Sequence, residues 1–203
     1  MKFIKLDGQD IYPSKIVCIG RNYVDHIEEL DNEVPTEPVI FIKPNSSISS
    51  DIYFNENDAI HFEGEISFLV RSGKLFGVGF GLDLTKREVQ SELKAKGLPW
   101  ERAKSFDKSA VFSEFVSFDG SILGLSMELY INGSLVQKAG YDLMLNKPNR
   151  ILNEINSFVS LEDGDLIMTG TPKGVGAVQV GDTFLGKIFE DENLIVEGSW
   201  VVK

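Results

Sequence analysis

Two glutamates that stand two residues apart are the first residues of this sequence whose spacing suggests chemistry. Glu63 and Glu65 belong to HFEGEISFLV, residues 61–70. Apolar residues take alternate positions there, the pattern of a strand with one face in the core. Both glutamates therefore point to the same face, where like charges repel each other. A positive partner is expected between them.

A third carboxylate follows at the end of the next apolar run. Asp83 precedes a predicted helix, and with Glu63 and Glu65 it forms a set of hard oxygen ligands suited to Mg²⁺, Mn²⁺ or Ca²⁺. The alternative interpretation is a solvated strand face, with Asp83 favoured at a helix start by the dipole. Arg87 and Gln90 share one face of that helix and can point toward an anion near Asp83, or they are ordinary surface residues.

A second cluster lies in CIGRNYVDHIEEL, residues 18–30. His26 and Glu29 fall within one helical turn, where the carboxylate can orient the imidazole as a general base. The residues before them indicate a loop that leads into a short helix. An exposed amphipathic turn is the alternative interpretation.

A third cluster is the glycine-containing loop in DLIMTGTPKGVG, residues 165–176. Its backbone amides and the Thr171 hydroxyl are suited to holding a carboxylate. The loop lacks the Gly-Lys-Ser/Thr order of a phosphate-binding loop, and GVGFGLDLT lacks the spacing of a dinucleotide fingerprint. Nucleotide binding is therefore disfavoured.

Many short β-branched and aromatic runs must position these clusters, and they indicate a sandwich or barrel-like β fold. Asn132-Gly133 predicts a two-residue hairpin turn. Two helices are expected, one over residues 84–99 with Thr85 and Glu88 as a capping box, and one over residues 149–164 with Asn149 as cap. The fold class is thus mainly β (α+β), and a parallel α/β sheet fits poorly.

Length and composition fit one catalytic domain over residues 1–203. The net charge of −11 disfavours nucleic acid and anionic membranes as partners. A single cysteine excludes an intrachain disulfide framework, and no apolar run suits a signal peptide or membrane span. A cytoplasmic location is expected.

In collinear order, these segments resemble the fumarylacetoacetate hydrolase family, specifically its short acylpyruvase-like branch. The matching stretches are GRNYVDHIEE, PVIFIKP, IHFEGEISFLV, LDLTKREVQSELKAKGLPWERAKSFD and DLIMTGTPKGVG. The resemblance implies a mixed β-sandwich roll of the family's C-terminal-domain type with a few short helices, assembled as a homodimer.

The resemblance also implies a role for each matching residue. The family's metal ligands, for Mg²⁺ or Mn²⁺, match Glu63, Glu65 and Asp83. Its catalytic residues match His26, Glu29 and Lys104. Its substrate contacts match Arg21, Arg87, Gln90 and Thr171. Hydrolysis of the C–C bond of acylpyruvates, a class of small α-keto acid, is the leading expectation. Oxaloacetate decarboxylation or keto–enol tautomerisation is the runner-up, and a non-catalytic metal-binding or structural protein is the alternative of another class.

Two local departures from the family pattern lie near the expected metal site. The connection over residues 71–80 is short, so a hairpin or its loop is trimmed there. Gly64 stands between the two glutamates, and a glycine inside a strand predicts a locally loosened backbone.

Overall fold

The computed structural model describes residues 1–56 and 58–203, which form short strands and four α-helices. The strands are β1 (Ile4–Leu6), β2 (Gln9–Ile11), β3 (Lys15–Gly20), β4 (Val39–Pro44), β5 (Ile48–Ser49), β6 (Ile60–Phe62), β7 (Gly64–Arg71), β8 (Lys74–Asp83), β9 (Thr85–Lys86), β10 (Ala110–Phe112), β11 (Val116–Ser117), β12 (Leu125–Ile131), β13 (Ser134–Gly140), β14 (Leu166–Met168), β15 (Gly176–Ala177), β16 (Thr183–Glu190) and β17 (Asn193–Val201). The helices are α1 (Val24–Glu29), α2 (Arg87–Ala95), α3 (Glu101–Lys104) and α4 (Pro148–Asn156). The mainly β class is confirmed.

One large mixed sheet carries the candidate site. Its strands run in the order β4-β3-β14-β7-β8-β10-β5, and β11 pairs with β8. The β3–β14 and β10–β5 pairs are parallel, and the other pairs are antiparallel. The central strands are therefore largely buried, β7 from Gly64 to Val70 and β8 from Gly77 to Asp83.

A second, antiparallel sheet covers one face of the large sheet. Its order is β13-β12-β16-β17, and Met127, Leu129 and Phe184 from it join Ile66 and Phe80 of the large sheet in the main core. The predicted Asn132-Gly133 turn joins β12 to β13, and both residues have positive φ, 51° and 80°. This is the backbone that a type I′ hairpin turn requires.

Strand β7 is buried on both faces rather than on one. Every residue from Gly64 to Val70 is buried, so its polar positions face protein and not water. A two-residue turn at Ser72-Gly73, with φ of 51° and 69°, joins β7 to β8 and accounts for the short connection. The solvated-face interpretation of the two glutamates is therefore wrong.

The expected helices are shorter than predicted, and their caps differ. Helix α2 begins at Arg87, and Thr85 lies in β9 paired with His61, so the capping box is absent. The Gly97 stop is present, with φ of 62°. Helix α4 spans Pro148–Asn156 with proline at its first position and Lys147 as N-cap, so Asn149 is not the cap.

Helix α4 packs its apolar face against the large sheet. Ile151 and Ile155 contact a cluster that includes Val17, Ile19 and Ile167 from β3 and β14. No helix in the described part of the chain is long and apolar enough to cross a membrane.

Candidate metal centre and active-site pocket

The pairing of β7 with β8 brings the three predicted metal ligands together. Gly64 pairs with Leu82, and the Asp83 amide donates a hydrogen bond of 2.9 Å to the Glu63 carbonyl just beyond the strand. Glu63, Glu65 and Asp83 are all buried, and each offers a carboxylate oxygen within 4.8 Å of the others. Three anionic oxygens this close in the interior require positive charge.

Part of that charge comes from Lys104, the last residue of α3. Its Nζ donates hydrogen bonds of 2.8 Å to Glu63, 2.7 Å to Asp83 and 2.6 Å to the Thr85 hydroxyl. Burial alone would lower the pKa of this lysine, but Asp83 and Glu63 together raise it. The Lys104 ammonium is thus held charged between two of the three carboxylates.

Lys43 of β4 is a second buried cation beside Asp83. Its Nζ lies 2.8 Å from Asp83 Oδ1 as an ion pair without hydrogen-bond geometry, and it donates to the Ser109 hydroxyl at 3.0 Å. It also donates to the backbone carbonyl of Lys104. Lys43 therefore anchors both Asp83 and the end of α3.

Glu65 is the least compensated of the three carboxylates. The Gly170 amide donates to it at 2.7 Å, and no cationic side chain of the described residues lies within ion-pair distance of it. Burial, followed by repulsion from Asp83 and Glu63, raises its pKa well above the usual range. A divalent cation shared by the three carboxylates would remove this repulsion, and their oxygens are the donors that Mg²⁺ and Mn²⁺ prefer. The site thus fits such an ion.

Arg87, at the start of α2, contacts Glu63 from the opposite side. Its guanidinium donates to Glu63 Oε1, and its other amino group donates to Gln90 Oε1 at 2.7 Å. Burial would raise the pKa of Glu63, but Lys104 and Arg87 outweigh it and hold that pKa far below its usual value. Arg87 and Gln90 thus line the pocket as a bonded pair.

The predicted His26–Glu29 pair forms on α1. His26 Nδ1 lies 3.0 Å from Glu29 Oε2, and Glu29 Oε1 accepts a hydrogen bond of 2.9 Å from the Gly174 amide. His26 is buried and lines the same pocket as Glu63 and Lys104. The glycine loop therefore fixes the carboxylate that orients the imidazole.

Gln137 of β13 is a positioning residue that the sequence analysis missed. Its Oε1 accepts from the Gly64 amide at 2.9 Å, and its Nε2 donates to the Thr171 hydroxyl and the Pro172 carbonyl, both at 2.9 Å. A Cβ on Gly64 would lie 2.9 Å from this Oε1. The backbone at Gly64 is therefore held by the second sheet and is not loosened.

The Gln137 contact also sets the direction of the Thr171 hydroxyl. Its oxygen accepts from Gln137, and its single proton points to the Pro172 carbonyl at 3.4 Å, a long contact that leaves the proton available to a closer acceptor. Thr171 is buried beside the loop whose Gly170 amide contacts Glu65. This is consistent with a hydroxyl that donates to a bound carboxylate.

Asn22 was also absent from the predicted site, although it lies in the GRNY motif. It is fully buried and donates to the carbonyls of Thr169 at 2.7 Å and Asn146 at 3.0 Å. Asn22 thus joins the segment that carries Arg21 to the glycine loop.

The pocket between these residues is narrow and strongly charged. Its walls include Arg21, His26, Glu63, Lys94 and Lys104, and the space between them is about 30 Å³, room for about one water molecule. Such a set of groups can polarise a carbonyl, stabilise an oxyanion and move a proton. Binding of an organic acid requires these side chains to shift.

Comparisons with known proteins agree with the fold. The family described as "Fumarylacetoacetate (FAA) hydrolase C-terminal" matches residues 15–196, so the chain belongs to this family. Oxaloacetate tautomerase oaa1, mitochondrial, of Schizosaccharomyces pombe is 35% identical over 93% of this chain and 95% of its own.

Two crystal structures are similar over almost the whole chain. A candidate fumarylacetoacetate isomerase/hydrolase from Oleispira antarctica is 35% identical with a TM-score of 0.94, and all of both chains is covered. Fumarylpyruvate hydrolase from Pseudomonas aeruginosa, in complex with Mn²⁺ and pyruvate, is 27% identical with a TM-score of 0.89 over 98% of this chain and 94% of its own.

Proposed function

We propose that this protein is a metal-dependent enzyme that interconverts the keto and enol forms of oxaloacetate. The observation that carries the proposal is the buried Glu63–Glu65–Asp83 cluster, whose Glu63 lines one pocket with Lys104 and His26. The relative named an oxaloacetate tautomerase is 35% identical to this chain, against 27% for the fumarylpyruvate hydrolase. This favours the runner-up of the sequence analysis over acylpyruvate hydrolysis, its leading expectation.

The three carboxylates would hold Mg²⁺ or Mn²⁺, and such an ion, when bound, supplies a Lewis acid for an α-keto acid. Mn²⁺ is supported by its presence in the fumarylpyruvate hydrolase structure. Lys104 adds positive charge beside the same carboxylates and stabilises the enolate oxygen. Thr171 binds the substrate carboxylate.

His26 is the proposed proton carrier of the tautomerisation. Glu29 orients its imidazole, and the ring lies in the pocket that Glu63 lines. The imidazole takes a proton from C3 of oxaloacetate, and the electron pair of that C–H bond becomes the C2–C3 double bond as the keto oxygen becomes an enolate. Return of the proton to oxygen completes the enol without loss of any atom.

Acylpyruvate hydrolysis is the second candidate, because the His26–Glu29 pair is also suited to activating water. In that reaction water attacks the distal carbonyl and pyruvate enolate leaves. Decarboxylation of oxaloacetate proceeds through a similar enolate and needs no activated water, so His26 matters less for it.

A parallel assay separates these reactions. Purified protein with Mg²⁺ or Mn²⁺ is given oxaloacetate and acetylpyruvate, while enol absorbance and released pyruvate are followed. We expect fast, metal-dependent equilibration of oxaloacetate with little pyruvate, and a loss of about 10²-fold or more in His26→Ala, the size of a general acid–base contribution.

Pyruvate release from acetylpyruvate at a higher kcat/KM than oxaloacetate equilibration would favour the hydrolase instead. Full activity after chelation, or in Glu65→Gln, would contradict a metal-dependent site. Asp119→Asn, an exposed carboxylate of the described chain, is the matched control.

The proposed partners are a small α-keto acid and a second copy of the chain, with no nucleic acid or membrane. The sheet β13-β12-β16-β17 carries exposed apolar side chains at Leu135, Leu194 and Val201, which suits a homodimer contact. The mass in solution, measured by light scattering at micromolar concentration, tests this, and a monomer mass would contradict it.

We also propose a single catalytic domain and a cytoplasmic location. The location rests on the single cysteine, whereas the Schizosaccharomyces pombe relative is named mitochondrial. Fractionation of the source cells tests the location, and one cooperative unfolding transition is expected for one domain.

A further inference from the structure

Two half-buried cations, Arg21 and Lys94, line the pocket beside the buried Glu63 and Lys104, and we call their side the outer end of the pocket. Arg21 follows β3, and Lys94 lies in the last turn of α2. Both donate to the same neutral atom, the Asn32 side-chain oxygen, at 3.2 Å and 2.8 Å. Two positive groups thus converge on a single uncharged acceptor.

Neither cation has a carboxylate partner within the part of the chain that the structure describes. Arg21 also has a buried Nε–H with no acceptor among the described residues, and its backbone is left-handed, with φ of 56°. Such a conformation is costly for a residue other than glycine and is concentrated at functional sites. Buried donors are nearly always hydrogen-bonded in folded proteins, so a bound ligand is expected to supply the acceptor for the Arg21 Nε–H.

The electrostatics of Lys94 indicate surplus positive charge. Burial lowers its pKa, and the neighbouring cations Arg21 and Arg87 lower it further. The anion that raises its pKa is Glu63, which is already bonded to Arg87 and Lys104. Lys43, Lys104 and Arg87 form the ion pairs of Glu63 and Asp83 in the inner cluster. Among the described residues, Arg21 and Lys94 form no ion pair with this cluster.

We propose that Arg21 and Lys94 form a second carboxylate subsite, which binds the carboxylate of an α-keto dicarboxylate that is remote from the keto group. The inference rests on the proposed function, because the keto acid end of the substrate is placed at the Glu63–Glu65–Asp83 cluster. Both ends belong to one pocket, since Arg21, Lys94, Glu63 and Lys104 all line it. A four-carbon diacid such as oxaloacetate offers charges at both ends, whereas the acyl end of acetylpyruvate offers none.

Binding measurements test the subsite without requiring turnover. The Mg²⁺-loaded protein is titrated calorimetrically with pyruvate, which has one carboxylate, and with 3,3-difluoro-oxaloacetate, which has two and cannot enolise at C3. We expect the diacid to bind about 10- to 100-fold more tightly than pyruvate, the range of a hydrogen bond to a charged group.

Three variants sharpen the test. Lys94→Met removes one cation, and Asn32→Asp places a carboxylate between both cations that competes with the ligand. Each should weaken diacid binding about 10-fold or more and leave pyruvate binding within about twofold. Lys96→Met, two residues further along α2 and exposed, is the control that should change neither affinity.

Equal affinity of the wild type for both ligands overturns the proposal, as does unchanged discrimination in Lys94→Met together with Asn32→Asp. Selective loss of diacid binding supports it even if the wild type fails to tautomerise oxaloacetate. In that case the proposed reaction fails and the subsite stands, so the two failures are distinguishable.

Discussion

The inner and outer ends of the pocket both carry lysine and arginine side chains, but only those at the inner end form ion pairs with carboxylates among the described residues. At the inner end, Lys104 bridges Glu63 and Asp83, so the protein pairs its own charges. At the outer end, Arg21 and Lys94 share only the neutral Asn32 oxygen. Paired buried charges hold the fold and the ligand set in place, whereas unpaired cations are available to a ligand.

The strongest test of the inner end is Lys104→Met. It leaves Glu63 and Asp83 without their shared ammonium, and removal of one partner from a buried ion pair costs about 3–5 kcal/mol. Chemical unfolding in the presence of a chelator measures this loss.

Addition of Mg²⁺ should restore part of the stability of Lys104→Met, because a cation between the carboxylates replaces the lost charge. A variant that is as stable as the wild type without metal would contradict the assigned pairing. Lys108→Met, an exposed lysine beyond the site, is the control.

A smaller loss is expected when Gln137 no longer joins the two sheets. Gln137→Leu leaves the buried Gly64 amide without its acceptor, and an unsatisfied buried group costs about 1–3 kcal/mol. The Thr171 hydroxyl loses its donor as well, so KM for the keto acid should rise more than kcat falls.

Gln137→Glu separates positioning from simple packing. It keeps the acceptor for Gly64 but cannot donate to Thr171 or to the Pro172 carbonyl, and its buried carboxylate has no cation among the described residues. Stability should therefore fall at least as far as in Gln137→Leu, and KM should still rise. An unchanged KM in both variants would show that Gln137 does not position Thr171. Gln179→Leu, at an exposed position, serves as control.

Close spacing predicted pairs of neighbouring residues, and the family resemblance added Lys104, which contacts Glu63 and Asp83 in the structure. Contacts between the two sheets were not predicted. Alternation placed Glu63 and Glu65 on one face, and helical spacing placed His26 beside Glu29. The contact from Gln137 to Gly64 spans 73 positions and joins separate sheets, so no local pattern indicates it.

The helix caps show that a local sequence pattern can also predict a contact that the fold does not form. Thr85 and Glu88 have the spacing of a capping box, but pairing of Thr85 with His61 draws it into a strand and turns its hydroxyl toward Lys104. Tertiary contacts therefore override a sound local preference. The short Glu101–Lys104 helix was not predicted either, because one turn is too brief to show a period.

Asp165 offers a paired buried charge outside the pocket, and its contribution to stability should be smaller, present at neutral pH and lost at acid pH. Burial would raise its pKa, but the Lys15 ammonium, the Glu162 amide and the Ser14 hydroxyl lower it. A carboxyl whose pKa is depressed by folding contributes stability above its unfolded pKa of about 4 and loses it as the pH falls further.

Asp165→Asn should therefore reduce stability at pH 7 and flatten its dependence on pH below about 4. Urea unfolding at a series of pH values measures both effects, with kcat unchanged at pH 7. If the free energy of unfolding fell equally with pH in the variant and the wild type, carboxyl groups other than Asp165 would be responsible for the acid sensitivity.

The smallest effect is expected at the outer end of the pocket. Lys94→Met removes a half-buried cation that has no carboxylate partner in the described part of the chain, and it relieves repulsion from Arg21 and Arg87. Stability should stay within about 0.5 kcal/mol of the wild type, as for substitutions that break no paired feature. The measurement is urea unfolding without ligand, compared directly with Lys104→Met. A cation that serves to bind a ligand contributes little to the free energy of unfolding until that ligand is bound. If Lys94→Met lowered the free energy of unfolding as much as Lys104→Met, both ends of the pocket would stabilise the fold, and the contrast between them would be wrong.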